Sequence, residues 1–145
     1  MSERQSTAVE NRLVLVVEDD DAVRHSLKFS LEVEGYSVKD YSTARDLLKE
    51  PEVAEAACLL IDYNLPDMNG LELLRELRIR HVALPALMIT SHPNTSVRRA
   101  AANADVRIIE KPFLNSALME GVEGACGASS PARHATMIGE TGAKR

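Results

Sequence analysis

Four places in this chain put a chemically able side chain just past an apolar run. LVLVV ends in Glu18-Asp19-Asp20-Asp21, ACLLI in Asp62, ALMI in Thr90-Ser91, and VRII in Glu110-Lys111-Pro112. If the ends of these runs meet, acids, a hydroxyl and an amine converge. Three carboxylates within about 5 Å repel one another by on the order of 3 kcal/mol per pair at an effective dielectric of about 20. Such a cluster calls for a cation. Oxygen ligands without His or Cys suit Mg2+ or Mn2+, which keep several waters and accept phosphate oxygens as further ligands. The set therefore suits phosphoryl transfer onto Asp62, because a carboxylate is ionised at neutral pH and needs no general base to act as nucleophile. What remains is electrostatic: Asp19 and a metal would keep the nucleophile accessible to an anionic donor, and the metal with Lys111 would neutralise the equatorial oxygens. Thr90 could donate a hydrogen bond to the phosphoryl group once it is attached. The plainer reading is that Asp62 caps a turn, since YNLPDMNG follows it.

Whether these residues meet depends on the elements that carry them. Apolar runs at Leu13 to Val17, Ala57 to Ile61, Ala86 to Ile89 and Val106 to Ile109, with a weaker alternating Tyr36 to Asp40, imply five strands. Between them lie helical stripes: Val23, Leu27 and Leu31; Ala44, Leu47 and Leu48; Leu71, Leu74 and Leu77; Val97, Ala100, Ala101 and Ala104; Leu114, Ala117, Leu118 and Val122. Asp20 or Asp21 is a plausible N-cap for the first helix and Gly35 its end; Ser42 or Thr43 precedes the second. Alternating strands and helices predict a doubly wound α/β fold, (βα)5, with a five-stranded parallel sheet and right-handed crossovers. Ligands of such sheets bind at the C-terminal strand ends, where the acids fall.

At 145 residues the chain fits one domain. The expected division is a flexible N-terminus over 1–11, a folded domain over 12–124 and a flexible tail over 125–145, where Gly, Ala, Ser and Pro dominate. A net charge of −5 and 3% aromatic residues argue against direct nucleic-acid binding, and Arg133, Lys144 and Arg145 are too sparse to change that. No apolar stretch reaches the ~20 residues of a membrane span, and Met1 to Asn11 lacks a signal-peptide core, so a cytoplasmic location is expected. Cys58 and Cys126 match neither a metal site nor a disulfide framework and are read as plain thiols.

VLVVEDD, LLIDYNLPDMNG, LMITSHP and EKPF, in that order and spacing, resemble the response-regulator receiver domain of two-component signalling, over about Arg12 to Gly124. The resemblance implies the flavodoxin-like strand order 2-1-3-4-5 and a cis Lys111-Pro112 bond. It implies that Glu18 and Asp19 are the acidic pair, that Asp62 accepts a phosphoryl group from a phosphohistidine, and that Asn64 offers its backbone carbonyl to Mg2+. Thr90 would be the switch hydroxyl and Lys111 the salt-bridging lysine. The implied partners are a sensor histidine kinase or histidine phosphotransfer protein and a separate downstream protein. The implied output face is the fourth helix, fifth strand and fifth helix. With no effector domain in sight, a single-domain, chemotaxis-regulator-like chain is expected to bind a target, dimerise or pass the group on. No external substrate is expected; the chain would assist only its own phosphorylation and dephosphorylation.

Two positions depart from the family pattern. Ile108 stands where an aromatic residue commonly reports phosphorylation, and Ala104 where glycine is common, so the turn after the fourth helix is expected to differ. Asp20 and Asp21 are read as helix caps, Asp67 as a brace for the loop after Asp62, and Arg98 and Arg99 as a solvated face. His25, His81 and His134 are read as exposed; His92, two residues after Thr90, could affect how water reaches an acyl phosphate. Ile108 also motivates an alternative, a receiver-like binding module acting without phosphorylation. An aspartyl-phosphate hydrolase is less suited, because Asn64 stands where such enzymes place a second Asp. A flavin site is less suited still, because acids occupy the first loop.

Overall fold

Each expected strand forms within one residue of its apolar run, and the computed structural model describes residues 12–113 and 115–128. In chain order the elements are β1 (Leu13–Val17), α1 (Asp21–Val33), β2 (Ser37–Tyr41), α2 (Ala44–Leu48), a single 3-10 turn (Val53–Glu55), β3 (Cys58–Asp62), α3 (Gly70–Ile79), β4 (Ala86–Thr90), α4 (Thr95–Asn103), β5 (Arg107–Glu110) and α5 (Asn115–Ala128). Among the described residues one five-stranded sheet forms, all parallel, in the order β2-β1-β3-β4-β5. The order 2-1-3-4-5 is therefore as expected, and so is the cis Lys111-Pro112 bond.

The sheet is covered on both sides, and the two-residue period of a strand divides its side chains between them. Val14, Val16, Cys58, Leu60, Leu87 and Ile89 pack with Leu27 and Leu31 of α1 and Leu118 and Val122 of α5. Leu15, Val17, Leu59, Ile61 and Met88 pack with Ala44 and Leu47 of α2, Leu73, Leu74 and Leu77 of α3, and Ala101 of α4. Because β3 is central, all five of its residues are buried, which explains an apolar run without alternation. Each fully buried aliphatic side chain contributes about 1.5–3 kcal/mol relative to exposure.

The helix starts follow capping chemistry. Asp20 accepts from the Val23 amide and Thr43 from that of Asp46, while Asn69 and Glu72 form a reciprocal capping box that starts α3 at Gly70. That start sets the helix phase, so Leu73 is buried beneath α3 and Leu71 is only half-buried. Ala100, expected in the stripe of α4, is exposed; Ala101 alone is fully buried there. Gly35 ends α1 with φ 103, a conformation that favours glycine. At the end of α4, Ala104 keeps φ −88 and the left-handed turn falls on Asp105, φ 61, a residue type that tolerates that region better than alanine.

The last helix runs past Gly124, the expected end of the folded domain. α5 continues to Ala128, and Cys126, expected in a tail, is 2% exposed and packs in the same core cluster as Cys58. Leu118, Val122 and Cys126 extend one helical stripe at four-residue spacing through small residues that read as loop composition. Gly121 is small for a packing reason: a Cβ there would lie 2.9 Å from Ile109 Cδ1. Leu114, His134, Arg133, Lys144, Arg145 and the terminal segments 1–11 and 129–145 lie outside the described residues.

Candidate functional site

Strands β1 and β3 are adjacent and parallel, with Val17 opposite Ile61, so the residues after each emerge side by side at one edge of the sheet. Glu18, Asp19 and Asp62 each place a carboxylate oxygen within 4.8 Å of the others. Glu18 and Asp62 are buried and Asp19 is exposed. Asp19 thus opens the cluster to solvent. The Glu18 amide still donates to the Tyr41 carbonyl of β2 at 3.0 Å, extending the ladder one residue past β1, and the Asp20 amide donates to Glu18 Oε2 at 3.1 Å.

Lys111 arrives from the end of β5. Its Nζ lies 3.1 Å from Glu18 Oε1 and 3.4 Å from Asp62 Oδ2, and its backbone amide donates to the Thr90 carbonyl at 2.8 Å. The other oxygen of Asp62, Oδ1, accepts from the Asn64 amide at 3.1 Å. Both oxygens of that carboxylate are therefore oriented. Thr90 is 2% exposed, and its hydroxyl donates to the Ser91 carbonyl at 3.2 Å.

The electrostatics follow from burial and proximity. Burial first, then the hydrogen bond with Asp62, pushes the Glu18 carboxyl up to about 7, against the opposing pull of the Asp20 amide and Lys111. Burial pulls the Lys111 ammonium down, but its contacts with Glu18 and Asp62 outweigh that and hold it above the ordinary lysine value. Three acids and one lysine leave negative charge in excess, and the donors are all oxygen. Such a set fits a hard divalent cation and fits zinc or iron poorly.

The structure brings Glu18, Asp19, Asp62, Asn64 and Lys111 together and places Thr90 beside Lys111 through the backbone. Of the two capping candidates, Asp20 caps α1 and Asp21 pairs with Arg24. His25, His81 and His92 are exposed, the last with φ 50. Ile108 is half-buried against the core on the α3 and α4 side. Asp67 braces more than its own loop: its carboxylate accepts from the Ala44 and Arg45 amides, at 3.1 and 2.9 Å, and so adds a second cap to α2. Arg24 and Asp40, which no motif singled out, also border the acids; their shared ion pair at 3.0 Å joins residues on a helix and a strand whose spacing carries no local signal.

A family profile described as response regulator receiver domain matches residues 14–123. The transcriptional regulatory protein FixJ of Rhizobium meliloti is 35% identical over 113 residues, 77% of this chain and 55% of that protein. Among solved structures, the FixJ N-terminal domain matches with TM-score 0.72 and 32% identity, covering 81% of this chain and 94% of that one. A CheY-like receiver domain protein from Methanospirillum hungatei matches with TM-score 0.73 and 29% identity, covering 82% and 96%. The chain spans about half the length of the curated relatives it matches.

Proposed function

Because the chain belongs to the response regulator receiver domain family of two-component signalling, we propose that it accepts a phosphoryl group on Asp62 and uses it to switch a protein-binding surface. The observation that carries this reading is the double contact of Lys111 with Glu18 and Asp62 beside an oxygen-only acidic cluster. The donor is the phosphohistidine of a sensor histidine kinase or a histidine phosphotransfer protein in the cytoplasm. Glu18, Asp19 and Asp62, with the backbone carbonyl of Asn64, would hold Mg2+. When bound, the metal supplies positive charge that lets an anionic donor approach and offsets charge on the transferring oxygens.

The protein's own groups do the rest. The Asn64 amide holds Asp62 Oδ1 and Lys111 holds Oδ2, so the nucleophile is fixed before the donor arrives. As an Asp62 oxygen forms its bond to phosphorus, the bond from phosphorus to the histidine nitrogen breaks and the imidazole leaves. Lys111 then follows the new negative charge onto the phosphoryl oxygens. Thr90 rotates its hydroxyl from the Ser91 carbonyl towards the phosphoryl group. That motion draws the β4–α4 loop inward and alters the face formed by α4, β5 and α5, which meets a separate protein target or a second copy of the chain. Incubation with a small phosphodonor and Mg2+ should add one phosphoryl group by intact mass, and Asp62→Asn or chelation of the metal should prevent it. Equal uptake by Asp62→Asn contradicts the assignment.

A further inference from the structure

Arg24 stands in the first turn of α1 with its side chain 12% exposed, and its guanidinium nitrogens reach β2, the loop after β1 and the start of its own helix. Nε donates to Asp40 Oδ2 of β2 at 3.0 Å, Nη1 to the Glu18 backbone carbonyl at 2.9 Å, and Nη2 to Asp21 Oδ1 at 2.6 Å. The middle bond bears on the site. The Glu18 carbonyl belongs to the peptide unit that joins Glu18 to Asp19, so its direction fixes how the two side chains diverge: one into the buried cluster, the other to solvent. On the opposite side of Glu18 the ladder bond to Tyr41 anchors the amide. Between them these two bonds leave the backbone at the acidic pair little freedom to rotate.

We infer that Arg24 is a positioning residue for the acidic pair, acting through the Glu18–Asp19 peptide to set divalent-cation affinity without touching the cation. This rests on the reading of Glu18, Asp19 and Asp62 as the metal site. Planarity is essential to the role: a guanidinium presents its donors in a fixed fork, whereas a lysine ammonium is a point charge on a flexible stem and cannot hold three directions together. Groups that orient ligands from behind typically change metal affinity 10–100-fold when removed.

The sign of the effect separates this role from simple electrostatics. Arg24 is a cation close to a cation site, so loss of its charge alone would tighten Mg2+ binding. A bracing role whose loss only weakens the fold would leave affinity unchanged wherever the protein remains folded. Mg2+ titration by calorimetry on the parent, Arg24→Gln and Arg24→Lys, each shown folded by circular dichroism, resolves the three. Expected is on the order of tenfold weaker binding or more for both Arg24 variants, including Arg24→Lys, which keeps the charge and serves if Arg24→Gln does not fold. Arg80→Ala is the control. Arg80 also joins a carboxylate and a backbone carbonyl, those of Glu76 and Leu48, and its removal should leave affinity unchanged. Tighter or unchanged binding in the Arg24 variants overturns the inference alone. A parent that binds no Mg2+ overturns it together with the proposed metal site.

Discussion

Burial, reinforced by the neighbouring Asp62, raises the Glu18 carboxyl to about 7 in the metal-free protein. Cation binding needs the charged form, so Mg2+ affinity should rise as pH climbs through about 7, with a proton released on binding below it. Calorimetry in buffers of different ionisation enthalpy measures that proton. For the metal-free fold the sign is the reverse of that for a salt-bridged acid. The folded state holds the proton more tightly than the unfolded state, so this group's contribution falls as pH rises from its ordinary 4.5 towards about 7. Glu18→Gln should therefore raise metal-free stability above pH ~7 by on the order of 1 kcal/mol, read from the denaturation midpoint, while weakening Mg2+ binding. Glu18, Asp19, Asp62 and Lys111 were legible as a group because each ends or follows an apolar run, and parallel strands place such ends together. Arg24 was not, because no local periodicity records which carbonyl a long side chain reaches.

At the level of elements, the loop after β3 is held at both ends. Gly70 opens α3 where a Cβ would lie 2.6 Å from Met88 Sδ and 3.0 Å from the Asp62 carbonyl. Gly70→Ala should cost about 1–3 kcal/mol in denaturant unfolding and, by moving the Asp62 backbone, slow phosphorylation as well. Asp67 ties the same loop to the start of α2 through two backbone amides. Asp67→Ala should cost about 1–2 kcal/mol, and amide exchange should quicken at Ala44 and Arg45 before it does in α3. The sequence showed the loop as a cluster of turn formers but not that its acid caps a different helix. Strand and helix order was readable throughout, since burial on two faces and helical spacing are local patterns. The far end of α5 was not, because Gly121 and Gly124 suggest a loop until the packing of Gly121 against Ile109 is seen. In the turn after α4, Ala104 keeps an ordinary φ of −88 and the left-handed residue is Asp105, which follows it.

Across the whole molecule, the acids and the nominated output face are linked by short paths. Lys111 contacts Asp62 through its side chain and Thr90 through its backbone amide, and Glu110 beside it pairs with Arg98 of α4 at 3.1 Å. Ile108 packs against the α3 and α4 core, so under the proposed function the switch runs through Thr90 and the β4–α4 loop without an aromatic reporter on β5. Beryllofluoride with Mg2+, which mimics the attached phosphoryl group, should alter hydrogen exchange across residues 90–111 and leave β2 and α2 nearly unchanged. Exchange across residues 90–111 that beryllofluoride leaves unchanged would favour a module that binds without phosphorylation. The central claim concerns a single carboxylate, and one measurement reaches it directly. After incubation with a small phosphodonor and Mg2+, borohydride reduces an acyl phosphate to homoserine, which peptide mass spectrometry can locate. Homoserine at position 62 is the result this account predicts; homoserine at another acid, or at none, would contradict it.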